Sequence, residues 1–119
     1  MPTIKKLKRR GRQSYRAAQR HELYKLPQWR ELSRYVRALH PVCSICEAMG
    51  ATSASEHVHH IVSPFAGALS EGERVALLLD SCNVIALCAS CHSKIHSGEL
   101  HIPPELLKII ADGSYFNCR

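Results

Sequence analysis

Cys43-Ser44-Ile45-Cys46 and Cys88-Ala89-Ser90-Cys91 are two Cys-x-x-Cys pairs, with 41 residues between them. A pair at this spacing puts two thiolates within one turn, close enough to hold a single ion, and two such pairs complete a tetrahedral set. The chain between them must leave the first pair and return to it, which constrains any fold strongly. Zn²⁺ on Cys43, Cys46, Cys88 and Cys91 is expected to be structural, because 119 residues support only a modest core. The plainer alternative is four buried cysteines in a reduced protein. Cys82 and Cys118 lie outside the pattern and read as a packed thiol and a tail thiol.

The longest unbroken apolar stretch, Val84 to Ala89, has six residues, far too few to span a bilayer. Met1-Pro2-Thr3-Ile4-Lys5-Lys6 is not followed by the apolar stretch of a signal peptide. Paired cysteines in a reducing compartment are more often metal ligands than disulfides. A cytoplasmic protein with no membrane partner is therefore expected.

Charge is distributed unevenly. Residues 1–37 hold twelve Lys/Arg against Glu22 and Glu31, whereas residues 38–119 hold four against eight Asp/Glu. A basic arm on a mildly acidic globule fits a polyanion, and nucleic acid is the expected partner. A solvated tail that merely aids solubility is the alternative. Lys5, Lys6, Lys8, Arg9, Arg10, Arg12, Arg16 and Arg20 are the expected DNA contacts.

Residues 1–25 show no clear period and read as an extended or only partly helical arm. Pro27 suits a first helical turn, and Trp29, Leu32, Val36 and Leu39 then mark one helical face, with Arg30, Arg34 and Arg37 off it. Pro41 ends that helix, and Cys43 to Cys46 should form a tight turn. His57 to Val62 reads as a short strand closed by Ser63-Pro64. Ser70 with Glu73 is a capping-box pattern that opens a helix over 71–79. A second strand is expected over about 83–87, a helix over 92–98 and a last helix over about 104–111.

His92 and His96 are four apart, so a helix shows both imidazoles on one face. The first Cys pair would hold the His59-His60 strand nearby. Ligands from His59, His92 and His96 would leave coordination positions open, as a catalytic ion needs and a structural one does not. His57 reads as an exposed strand residue, and His21, His40 and His101 have no partner pattern.

In these residues the chain resembles the HNH endonucleases, or ββα-metal nucleases. Val58-His59-His60-Ile61 is similar to the family's first motif, Asn83-Val84 to its middle Asn, and Leu87-Cys88-Ala89-Ser90-Cys91-His92 to its closing motif. The similarity runs from about Trp29 to Glu99, and the helix before the first Cys pair resembles the phage and restriction-type branch. The resemblance implies a small α+β fold: a ββα-metal core of two-stranded hairpin plus helix, stapled by the Cys₄ zinc and flanked by helices. It implies that His59 and His92 bind a catalytic ion, that His96 adds a ligand as in the colicin nuclease domains, that His60 is the general base, and that Asn83 orients the His60 segment. Many relatives carry Asp where His59 stands. An all-imidazole set favours Zn²⁺, Ni²⁺, Co²⁺ or Mn²⁺ over Mg²⁺. The stretch from Pro64 to Ser81 is longer than usual, and its helix could contact DNA or a partner, or simply cover the hairpin.

The expected organisation is a DNA-binding arm at 1–25, a nuclease domain at 26–112 and a tail at 113–119. The implied activity is phosphodiester hydrolysis in DNA, leaving 5′-phosphate and 3′-hydroxyl ends. Its setting would be a bacterial or phage-infected host cell, with phage packaging proteins as possible partners and either a monomer or a dimer as the assembly. The alternatives are a non-catalytic, zinc-stabilised nucleic-acid-binding protein, and an RNA-cleaving toxin or a subunit active only in a complex.

Overall fold

Helices on both sides of a short hairpin bring the two Cys pairs together. The structure, a computed structural model, describes residues 18–116. Lys5, Lys6, Lys8, Arg9, Arg10, Arg12, Arg16 and Cys118 lie outside the described residues. Among those described are a helix at residues 18–24 (α1), α2 (Pro27–Leu39), α3 (Ser44–Ala48), β1 (His57–His60), α4 (Glu71–Leu78), β2 (Val84–Leu87), α5 (Ala89–His96) and α6 (Pro104–Ala111). The fold is small α+β. No helix among the described residues is long and apolar enough to cross a membrane.

Local chemistry accounts for most boundaries. Pro27 occupies the first turn of α2, where its missing N–H costs nothing. Trp29 and Val36 are buried on that helix, while Arg30, Arg34 and Arg37 are exposed. In α4 both halves of the capping box form: Ser70 Oγ accepts from Glu73 N at 3.1 Å, and Glu73 Oε1 accepts from Ser70 N at 3.0 Å. Just past α5 stands Gly98, whose φ of +81° lets the chain turn off the helix, with Gly98 N reaching Ile95 O and Glu99 N reaching Lys94 O.

The strands pair antiparallel, His57 opposite Leu87, Val58 opposite Ala86, His59 opposite Ile85 and His60 opposite Val84. All four β2 residues are buried, so both faces of that strand are covered. Strand β1 alternates, and its two faces meet different helices. The His59 ring faces His92 and His96 of α5, whereas the His60 ring lies against Trp29 of α2, 4.8 Å between centroids. The core is built on Val36, Ile45, Leu78, Ile110 and β2 itself.

Several expectations need correction. Residues 18–24, part of the segment read as an extended or only partly helical arm, form a helix that packs on the body: Leu23 is buried and Tyr24 lies 5.6 Å from Trp29. Leu23 and Tyr24 together thus dock a segment too polar to show a helical stripe. The Cys43–Cys46 segment is not a simple turn: Cys43 caps helix α3, and Cys46 lies within it. Strand β1 ends at His60 rather than Val62, and a 3-10 turn, Ser81–Asn83, precedes β2. Helix α5 begins at Ala89, earlier than position 92, because Cys88 acts as its N-cap.

The tail assigned to 113–119 is packed as far as residue 116. Tyr115 is buried, its hydroxyl accepting from Ala86 N at 2.9 Å and sharing a 2.7 Å hydrogen bond with Ser44 Oγ. His40 stacks on the Tyr115 ring at 3.7 Å and donates from Nε2 to Tyr115 O at 2.6 Å. Tyr115 therefore closes the outer edge of β2. The outer edge of β1 borders a cleft.

Candidate metal centres

Both Cys pairs sit at helix starts. Cys43 and Cys88 are the N-caps of α3 and α5, and Cys46 and Cys91 follow three residues later. Cys88 Sγ accepts from Cys91 N at 3.4 Å, so the helix start itself aims the first thiol. One sulfur from each of Cys43, Cys46, Cys88 and Cys91 lies within 4.8 Å of the others. Cys46 Sγ is 3.6 Å from Cys91 Sγ and 3.9 Å from Cys88 Sγ. Cys82 stands apart from this cluster.

The electrostatics of the four thiols fit a cation. Burial alone would raise Cys88, but bonds from the Cys91 backbone, Ser53 and neighbouring thiols bring it down to about 6. Burial and crowding by the other thiols push Cys91 and Cys46 up. Four thiolates this close ionise together only around a positive ion. A tetrahedral all-sulfur set suits Zn²⁺ acting structurally.

The second cluster is built on β1 and α5. One nitrogen from each of His59, His92 and His96 lies within 4.8 Å of the others. His92 Nε2 and His96 Nε2 are 3.0 Å apart, as expected for i, i+4 residues. The rings of His92 and His96 each lie 5.2 Å from that of His59, close to edge-on. Burial, followed by the nearby His92, His96 and His60, holds His59 down to about 4. His92 is lowered by burial and by His96 and His57. Imidazoles that are neutral at pH 7 have lone pairs to give, so this donor set fits a divalent ion.

His60 is held differently. Its Nε2 lies 3.0 Å from Leu78 O. A carbonyl can only accept, so Nε2 carries the proton and the neutral ring keeps its lone pair on Nδ1. Burial lowers the His60 pKa, partly opposed by this bond.

Asn83 is buried and fully engaged. Its Oδ1 accepts from Val62 N at 2.7 Å, and its Nδ2 donates to Val62 O at 2.9 Å and Leu77 O at 3.1 Å. The last two carbonyls of α4, which have no partner within the helix, are thus taken by Asn83 and His60. The segment between the strands covers the hairpin in this way and anchors the histidine.

A cleft of about 590 Å³ runs along the outer edge of β1 and is lined by His57, His59, His60, His92 and His96. Residues from both faces of β1 reach it because that edge is unpaired. Arg20 and Arg37 also line it. Arg20 is the expected DNA contact that falls within the described residues, and its guanidinium sits 5.2 Å above Phe65. Arg37 was readable as an outward charge on α2, but nothing linked it to the site. Glu56, on the same wall, turns Oε1 towards Ala89 N at 3.4 Å.

No protein-family model, curated protein or solved structure matches the chain.

His57 is an exposed strand residue, as its sequence suggested, yet its Nδ1 also lies 2.7 Å from His92 Nδ1, a contact the sequence reading did not assign. Strand alternation carried the signal, since His57 and His59 are two apart and share a face.

Proposed function

We propose that this chain is a metal-dependent DNA endonuclease of the ββα-metal kind, with a structural zinc. The observation that carries this reading is one cleft lined by three converging imidazoles and a fourth, neutral histidine of defined tautomer. His59, His92 and His96 would hold the divalent ion. When bound, such an ion stabilises negative charge on a phosphate and on the departing oxygen.

The chain's own residues supply the rest. His60 Nδ1, with Nε2–H engaged by Leu78 O, is free to take a proton from water at neutral pH. One imidazole cannot give the same lone pair to an ion and to water, which is why adjacent histidines divide the work. Asn83 would hold the segment that follows His60. Arg20 and Arg37 add positive charge where a DNA backbone would lie. Phosphodiester hydrolysis to 5′-phosphate and 3′-hydroxyl ends, in phage or prophage DNA processing, is the implication of the HNH resemblance.

Plasmid nicking with Mn²⁺ or Ni²⁺ by the wild type and His60→Ala, with RNA as a parallel substrate, tests the reading. Metal-stimulated nicking that the variant loses is the expected result. No cleavage of either nucleic acid with any divalent ion would leave a zinc-stabilised binding protein.

A further inference from the structure

His57 and His92 approach through the same ring position, Nδ1 to Nδ1, at 2.7 Å. Two imidazole nitrogens at that distance share one proton, so one donates and the other accepts. On its opposite side, His92 presents Nε2 to His96 Nε2 at 3.0 Å, inside the triad whose nitrogens converge. A neutral imidazole has one N–H and one lone pair. If Nε2 supplies the lone pair to an ion, the proton must sit on Nδ1, and His57 must accept it.

We propose that His57 is the positioning residue of the second metal site, accepting a hydrogen bond from His92 Nδ1–H and so fixing the His92 tautomer that ligates through Nε2. This rests on the reading of His59, His92 and His96 as a metal site, but not on the identity of the substrate. His57 itself stands outside the converging triad, so it is not counted among the ligands. Register explains its place: His57 pairs with Leu87 at the end of β2, and α5 begins just after, so the strand brings His57 alongside the first turn of the helix that carries His92. Ligating histidines generally need such a partner on the second nitrogen, and losing it typically costs about 10- to 100-fold in metal affinity.

The test uses the full chain loaded with structural zinc, as wild type, His57→Ala, His57→Asn and His92→Ala. Calorimetric titration with Ni²⁺ gives affinity, and long-range ¹H–¹⁵N correlation spectra with a second equivalent of Zn²⁺ report which His92 nitrogen is protonated. Expected are loss of second-site binding in His57→Ala by about 10- to 100-fold, substantial recovery in His57→Asn and an Nδ1–H tautomer of His92 in the loaded wild type. Asn offers recovery because its Oδ1 stands near the position of imidazole Nδ1 and can accept. His57 is exposed, so melting temperatures should stay close together and affinity should carry the effect. Equal Ni²⁺ affinity in wild type and His57→Ala, or His92 bound through Nδ1, overturns the role of His57 alone. A wild type that takes no ion beyond the structural zinc overturns the metal-site reading and this inference together.

Discussion

The Asn83 carboxamide meets the backbone of Val62 at both ends, Oδ1 on Val62 N at 2.7 Å and Nδ2 on Val62 O at 2.9 Å. Ile61 N already reaches Asn83 O at 2.8 Å, so the side chain adds one more rung to the hairpin ladder in the form of a side-chain peptide mimic. Asn83→Ala leaves the part-buried backbone groups of Val62 and Leu77 without it, a cost of about 1 kcal/mol. Cleavage should fall by about 100-fold through displacement of the base, while Ni²⁺ still binds. Urea denaturation and nicking rates check both, and an active, fully stable variant would contradict the clamp.

Cys88→Ser removes a zinc ligand and leaves the N-cap with a hydroxyl that can still bond Cys91 N. Loss of the metal, not of the cap, should then unfold or aggregate the protein. Wild-type protein should carry about one tightly held Zn²⁺ on four cysteines, measurable by elemental analysis. Unchanged melting after zinc removal would show that the thiols are merely packed.

His60→Ala should abolish nicking while sparing second-site Ni²⁺ binding, because the base does not give its lone pair to the ion. His92→Ala should lose both. Comparable loss of Ni²⁺ in the two variants would mean that the roles within His59-His60 are exchanged.

His59, His60 and His92 all favour the neutral form in the fold, mainly through burial. The unfolded chain therefore binds more protons once pH falls below about 6.5, the ordinary histidine value. Stability is fully present above that pH and is lost as pH falls, in the case of His59 down to about 4. Urea midpoints of zinc-loaded protein should drop between pH 7.5 and 5.5, and less so in His59→Asn. Parallel curves for the two proteins would refute the assignment.

Lys5, Lys6, Lys8, Arg9, Arg10, Arg12 and Arg16 precede the helix that docks through Leu23, so removing residues 1–16 should leave the body folded. If about half of these side chains neutralise phosphates, the slope of log affinity against log salt should flatten by about 3. Sequence preference should hardly change, since phosphate contacts do not read bases. An unchanged slope would assign the arm to something other than DNA.

The sequence was most legible where a structure depends on neighbours in the chain. Ser70 and Glu73 announced α4, the Trp29–Val36 spacing announced α2, and the Cys spacing announced the sulfur cluster. Interactions with distant backbone were illegible. Nothing in the letters of Leu77 or Leu78 says that their carbonyls will meet Asn83 and His60, and nothing near Tyr115 says that its hydroxyl will reach Ala86 N. His57 was legible as an exposed strand residue but not as a partner of His92: the alternation that placed His59 towards α5 placed His57 there too, but without the helix position its partner had no name.

The carbonyls that close α4 change what counts as dispensable. Residues 64–80 look like an insertion between two strands, the sort of excursion that shortening would remove first. A chain trimmed to a tight turn there would keep every histidine and cysteine. It would lose the acceptor that decides which nitrogen of His60 holds the proton, and a ring free to choose either tautomer would offer its lone pair in the right place only part of the time.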